Sequence, residues 1–157
     1  MKNSFLALGF CLTSISAQAA INKNIKFTPT FKSQITVAVI DTGLDVNHRE
    51  FKNSLWTNEG ETGIDKNGHD KSNNQIDDDD NGFVDDIHGW NFVSNSNDLL
   101  DSMGHGTHVS GIIKNESGRS PSLKNEIKLM VLKYYDANST DSENVDNTVK
   151  AINYAVK

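Results

Sequence analysis

Ile35-Thr36-Val37-Ala38-Val39-Ile40 runs for six residues without a charge, and Asp41 follows it directly. An uncharged run of β-branched and small residues suits a strand covered on both faces, as in parallel sheets. Ile127-Lys128-Leu129-Met130-Val131-Leu132 is a second buried strand candidate, and the stretch His88 to Val93 alternates large apolar and polar residues as a short strand would. Between the strands, the residues after Gly104 are small and β-branched and fit a buried helix. Glu116 to Lys124, with Gly118 and Pro121, reads as a turn-rich connection. Thr140-Asp141-Ser142-Glu143 matches a capping box, and Val145, Val149, Ile152 and Val156 recur behind it at helical spacing. The order strand, loop, strand, helix, strand, helix predicts a three-layer α/β/α fold with a mainly parallel sheet.

Length and charge narrow the partners. The chain has 157 residues, enough for one domain with a core, and a formal charge of −6, which excludes the basic face that nucleic acid requires. Met1-Lys2-Asn3, the apolar run Phe5 to Ile15 and Ala17-Gln18-Ala19 fit a secretory signal cut after Ala19. Cys11, the only cysteine, lies in that run, so the mature chain holds no disulfide and must be stabilised by its core or by a metal. The expected organisation is a signal over 1–19, a polar lead-in over 20–34 and one partial domain over 35–157. The product is expected to be secreted or periplasmic, with no membrane span after signal removal.

Two short motifs carry candidate chemistry. Asp41-Thr42-Gly43 closes the first strand and so places a carboxylate at the sheet edge where α/β proteins bind ligands. Taken alone, Asp41 reads as well as the start of an Asx turn. Gly104-His105-Gly106-Thr107-His108-Val109-Ser110-Gly111 puts an imidazole between two glycines at the mouth of a helix. There the missing Cβ atoms allow close approach, and the histidine pKa suits proton transfer. A structural histidine beside a glycine turn is the plainer alternative.

A third motif points to a cation. Asp77 to Asp86 holds six carboxylates in ten residues, which repel one another unless a cation sits among them. Asp77, Asp79, Asn81, Gly82 and Asp85 follow the first nine positions of an EF-hand calcium loop, but His88 stands where the closing glutamate belongs. The expectation is a Ca²⁺ loop of related geometry, with Asp77, Asp79, Asn81 and Asp85 as ligands; a merely solvated acidic loop is the alternative. The preceding Asn58 to Asn74 has almost no apolar residues and reads as a long exposed insertion.

Val39-Ile40-Asp41-Thr42-Gly43-Leu44-Asp45 and the motif at Gly104–Gly111 together resemble the aspartate and histidine signatures of the subtilisin-like serine proteases. The resemblance covers about Ile35 to Lys157 and includes the acidic loop followed by His88-Gly89-Trp90. It implies a subtilisin-like α/β/α sandwich and serine endopeptidase chemistry on peptide or protein substrates. Asp41 would orient the imidazole, and His105 would act as general base and then general acid. His108 matches a structural position, and Glu50 a calcium-ligating acid whose partner loop is shortened here. Ser139-Thr140-Asp141 replaces a glycine-containing edge that pairs with substrate in many members.

No Gly-Thr-Ser motif occurs in the 157 residues, and Ser110 stands where the family usually has alanine. The chain as given is therefore expected to hold Asp and His of the triad without the serine or the oxyanion asparagine, to be incomplete at its C-terminus and to be inactive alone. Half a parallel sheet also exposes apolar surface, so poor solubility or partial order is expected. Two other readings stand beside this one. One is a secreted, non-catalytic protein that binds calcium or a partner. The other takes Val39–Gly43 as the hydrophobic-Asp-Thr-Gly loop of a homodimeric aspartic protease, which leaves the histidine motif without a role.

Overall fold

The computed structural model describes residues 34–120, 123 and 126–157. The expected signal and nearly all of the lead-in lie outside the described residues. Strands β1 (Ile35–Asp41), β2 (Gly89–Asn91) and β3 (Ile127–Lys133) form one parallel sheet in the order β1-β3-β2. Helices α1 (His105–Arg119) and α2 (Asp141–Ala155) flank it. Asp41 and Asn91 both register with Lys133, so all three strands end level at the carboxyl edge.

β3 lies in the middle, and its alternating side chains feed two cores. Leu129 and Val131 join Val39, Leu44, Phe51 and Leu99 under Val109 and Ile113 of α1. Met130 and Leu132 join Trp90, Phe92, Ala151 and Tyr154 beneath α2. Sheet and helices thus make the three layers expected of the α/β/α fold. β3 fits a strand covered on both faces, whereas β1 leaves Thr36 and Ala38 exposed.

Three local expectations need correction. α1 continues through Glu116 and Gly118 to Arg119, where a turn-rich connection was expected from Glu116. A glycine inside a helix costs only about 1 kcal/mol, too little to end one whose other face packs on the sheet. Nor is α1 buried all round, since Ile112 is exposed. Asn58 to Asn74 is not simply an exposed insertion either: Asn58 and Glu61 are buried, and Glu59–Glu61 and Lys71–Asn73 form short 3₁₀ turns.

α2 begins with the predicted capping box, in which Thr140 Oγ1 accepts from the Glu143 amide and Glu143 Oε2 accepts from the Thr140 amide. Its inward residues are Asn147, Ala151 and Tyr154, while Val145, Val149, Ile152 and Val156 face outward at 49–71 % exposure. The tyrosine decides the rotation. Its ring stacks edge-on against Phe83 and Phe92, and its hydroxyl donates to buried Asp86.

Candidate active site

Asp41 and His105 are 64 positions apart in the chain, yet Nδ1 of His105 lies 2.7 Å from Oδ1 of Asp41. Asp41 is the last residue of β1 and His105 the first of α1. A strand end and a helix start meet here because glycines leave room. A Cβ on Gly106 would stand 2.2 Å from the Gly43 carbonyl oxygen, and one on Gly43 2.5 Å from that of Leu99. Gly43 also has φ +116°, a conformation that side chains rarely adopt.

A carboxylate can only accept, so the imidazole donates through Nδ1, which leaves Nε2 with its lone pair as a base. The Asp41 hydrogen bond and charge raise the His105 pKa above its ordinary value. The imidazole side chain is 66 % exposed and open to an incoming group. His108 is exposed on α1. Ser110 is 1 % exposed on the inner side of α1 and so unavailable as a nucleophile. Glu50 pairs with Lys114 at 3.3 Å.

Behind the pair lies a partly buried network. Asp101 Oδ1 accepts from the Thr42 hydroxyl at 2.8 Å and from the amides of Met103 and Gly104 at 3.1 and 2.8 Å. Asp101 Oδ2 accepts from the Thr107 amide and hydroxyl, both at 2.8 Å. Burial opposes the charge of Asp101, but these donors overcome it and lower its pKa to about 2. Thr42 Oγ1 in turn accepts from the Gly106 amide at 3.0 Å, and the Thr42 amide donates to Asp41 at 2.7 Å. The sequence reading gave no role to Asp101, Thr42 or Thr107. The available signal was position: Thr42 and Thr107 lie within the two motifs, and Asp101 stands four residues before His105.

The acidic loop forms a second cluster. Oxygens of Asp77, Asp79 and Glu61 all come within 4.8 Å of one another. Glu61 is fully buried, and its Oε2 has no hydrogen-bond partner among the described residues, while Oε1 accepts from the Asp78 amide. Burial, then the charges of Asp86, Asp79 and Asp78, raise the Glu61 pKa against that single amide. Asp77 accepts from the amides of Gly82 and Asn81, which lower its pKa in spite of partial burial. Asn81 Oδ1 accepts from the Phe83 amide, and the buried Asp85 accepts from the Gln75 amide through both oxygens. The structure therefore gathers Asp77 and Asp79 with Glu61, and directs Asn81 and Asp85 to backbone donors. Glu61 was missed because it lies 16 residues before Asp77, in a segment read as exposed.

A carboxylate bonded to one nitrogen of an exposed imidazole can hold the ring in one tautomer and leave the other nitrogen a base. The particular family follows from comparison with known proteins. The model of the subtilase family matches residues 32–157. Subtilisin-like protease 1 of Plasmodium berghei is 37 % identical over 123 residues, 76 % of this chain and 19 % of that protein. The proteins of the same name from Plasmodium vivax and Plasmodium falciparum are each 47 % identical over 77 residues, 49 % of this chain and 11 % and 10 % of theirs. The chain belongs to the subtilase family, and the relatives it matches carry the name of subtilisin-like proteases. The matches span less than a fifth of these relatives' own length.

Proposed function

We propose that this chain supplies the Asp41–His105 half of the catalytic centre of an exported, subtilisin-like serine endopeptidase. The observation that carries the reading is the 2.7 Å contact between Asp41 and an imidazole whose side chain remains 66 % exposed. In the reaction on a peptide or protein, His105 Nε2 takes the proton of a serine hydroxyl as the oxygen attacks the scissile carbonyl. It then returns that proton to the leaving amine, and Asp41 holds the ring and stabilises the imidazolium between the two steps. The serine and the oxyanion donor are not supplied by residues 1–157, so this polypeptide alone does not hydrolyse peptides. In subtilisin, loss of the serine lowers turnover by about 10⁶. Purified residues 1–157 should leave casein uncut. Hydrolysis abolished by a serine-directed reagent would overturn that statement, and hydrolysis blocked only by an aspartic-protease inhibitor would move the chain to the other class. Reading the gene past the Lys157 codon for a Gly-Thr-Ser motif is the companion experiment.

The reading includes Ca²⁺ in the acidic loop, a hard cation held by oxygen ligands. Glu61, Asp77 and Asp79 offer converging carboxylates, and the buried Glu61 Oε2, without a hydrogen-bond partner among the described residues, is the feature that fits a cation. Asn81 and Asp85 complete the proposed ligand set and, in the present geometry, brace the loop backbone. The ion would tie the loop together by neutralising its charges. Calcium should raise the melting temperature of the chain, and E61Q should remove most of that rise. An unchanged melting temperature at millimolar calcium would reject the site. Calcium binding in a full-length product that has no reactive serine would favour a non-catalytic role.

A further inference from the structure

We infer that Asp101, acting through the Thr42 hydroxyl, is the positioning residue that sets the distance between Asp41 and His105. The inference concerns the pair named under the proposed function, but its test reads the pair directly and does not require hydrolysis.

The argument begins with the start of α1. The first amides of a helix have no partner within it, and a side chain at the N-cap usually supplies one. Here the N-cap is Gly104, which has no side chain to offer. The acceptors come from elsewhere: Asp101 Oδ2 takes the Thr107 amide, and Thr42 Oγ1 takes the Gly106 amide. The Gly106 acceptor sits on the residue after Asp41, so the first turn of α1 is docked directly onto the end of β1.

Thr42 can dock both elements only with its hydroxyl turned one way. Its proton must point to Asp101 Oδ1, because the oxygen is already accepting from Gly106. Its own amide points to Asp41 Oδ1, the atom that His105 also engages. One threonine therefore touches the carboxylate of the pair through its amide and the residue after the imidazole through its hydroxyl. Asp101 fixes the rotor that makes this possible.

Asp101 is suited to the task by its donor set. Five N–H and O–H groups converge on its two oxygens. An amide in its place supplies one carbonyl oxygen and turns an NH₂ group toward donors, so a neutral isostere cannot satisfy the set. The Thr107 hydroxyl extends the network, since it also accepts from the Asp45 amide at 3.1 Å, beyond the Asp41-Thr42-Gly43 turn.

The test is the titration of His105 in the 157-residue chain, followed by NMR with ¹⁵N-labelled histidine, in wild type, T42V, T42S and D101N. The carboxylates that act on this ring are Asp41 and Asp101. T42V keeps both charges and nearly the same volume and removes only the bridging hydroxyl. T42V is expected to lower the His105 pKa toward that of an isolated imidazole, T42S to leave it at the wild-type value, and D101N to lower it at least as far as T42V. A folded T42V with the wild-type His105 pKa overturns the inference. Should T42V and D101N both fail to fold, amide exchange in the wild type decides. Gly106 and Thr107 must then exchange more slowly than unbonded first-turn amides, and free exchange at both would overturn the inference. In a polypeptide that also carries the serine, T42V should lower kcat more than it changes KM.

Discussion

Tyr154 of α2 donates its hydroxyl to Asp86, 68 residues earlier in the acidic loop, and both groups are buried. Asp86 also accepts from the side-chain amides of Asn58 at 2.7 Å and Asn81 at 3.0 Å. Burial raises the Asp86 pKa, and these three donors oppose that rise. One carboxylate therefore joins the insertion, the acidic loop and the final helix. Removing the tyrosine hydroxyl leaves it with fewer donors, and an under-satisfied buried acceptor costs about 1–3 kcal/mol. Y154F should lower stability to urea by that amount while the aromatic cluster stays intact. A variant as stable as the wild type would show that Asn58 and Asn81 suffice.

Gly106 is a point of close approach between α1 and the turn that follows β1. Its absent Cβ would meet the Gly43 carbonyl oxygen at 2.2 Å and Asp41 Cβ at 3.1 Å. Backbone on one side and the orienting carboxylate on the other leave no flexible atom to yield. Overpacking of this kind costs about 1–3 kcal/mol. G106A should destabilise the chain by that much and lower the His105 pKa, because the helix must retreat from Asp41. G118A, at a helical glycine with open space around it, serves as the control and should be neutral or stabilising.

Ser110 Oγ is buried and has no hydrogen-bond partner among the described residues. Replacing an unsatisfied hydroxyl by hydrogen removes a desolvation penalty, and alanine also favours the helix. S110A should raise stability by about 1 kcal/mol, read from the shift in the urea midpoint. A loss of stability would reveal a partner for the hydroxyl.

Acid should weaken the site in a defined window. The Asp101 pKa is lowered from 3.8 to about 2, so the unfolded chain binds its proton first as the pH falls. The stability from this group is complete above the unfolded value and is lost progressively between about pH 5 and pH 2. The shift corresponds to roughly 2 kcal/mol. In D101N this part of the pH dependence should vanish, leaving a flatter stability profile over that range. His105 behaves in the opposite sense. Its raised pKa gives a contribution that is full below the unfolded value of 6.5 and fades as the pH rises through the folded one. Proton abstraction needs the neutral ring, so the same shift moves the acid limb of any activity profile upward.

Much of the architecture was legible because period and charge are local properties. The uncharged run at Ile35–Ile40, the strand at Ile127 and the capping box at Thr140 each became the expected element. The pairing of Asp41 with His105 was implied only by the resemblance of the two motifs to a known family, since their spacing means little until a sheet edge unites them. Local patterns misled where two faces competed. α2 has a valine stripe and a tyrosine face, and spacing alone selects the stripe. The structure buries the tyrosine face, because a large ring and a hydroxyl with a buried partner outweigh a row of valines whose neighbour is water.

The sequence by itself determined the parallel α/β character, the two motifs and the presence of a concentrated acidic loop. Each follows from residues near one another in the chain, through strand period, helix capping and like-charge repulsion. Tertiary structure decided that Glu61 joins Asp77 and Asp79, and that Asn81 and Asp85 serve backbone amides. It also decided that Asp101 and Thr42 tie the ends of β1 and α1 together. The physical reason is that the partner of a polar side chain is set by which groups the packed chain brings within reach. Glu61 with Asp77, and Thr42 with Asp101, are brought together from separate segments.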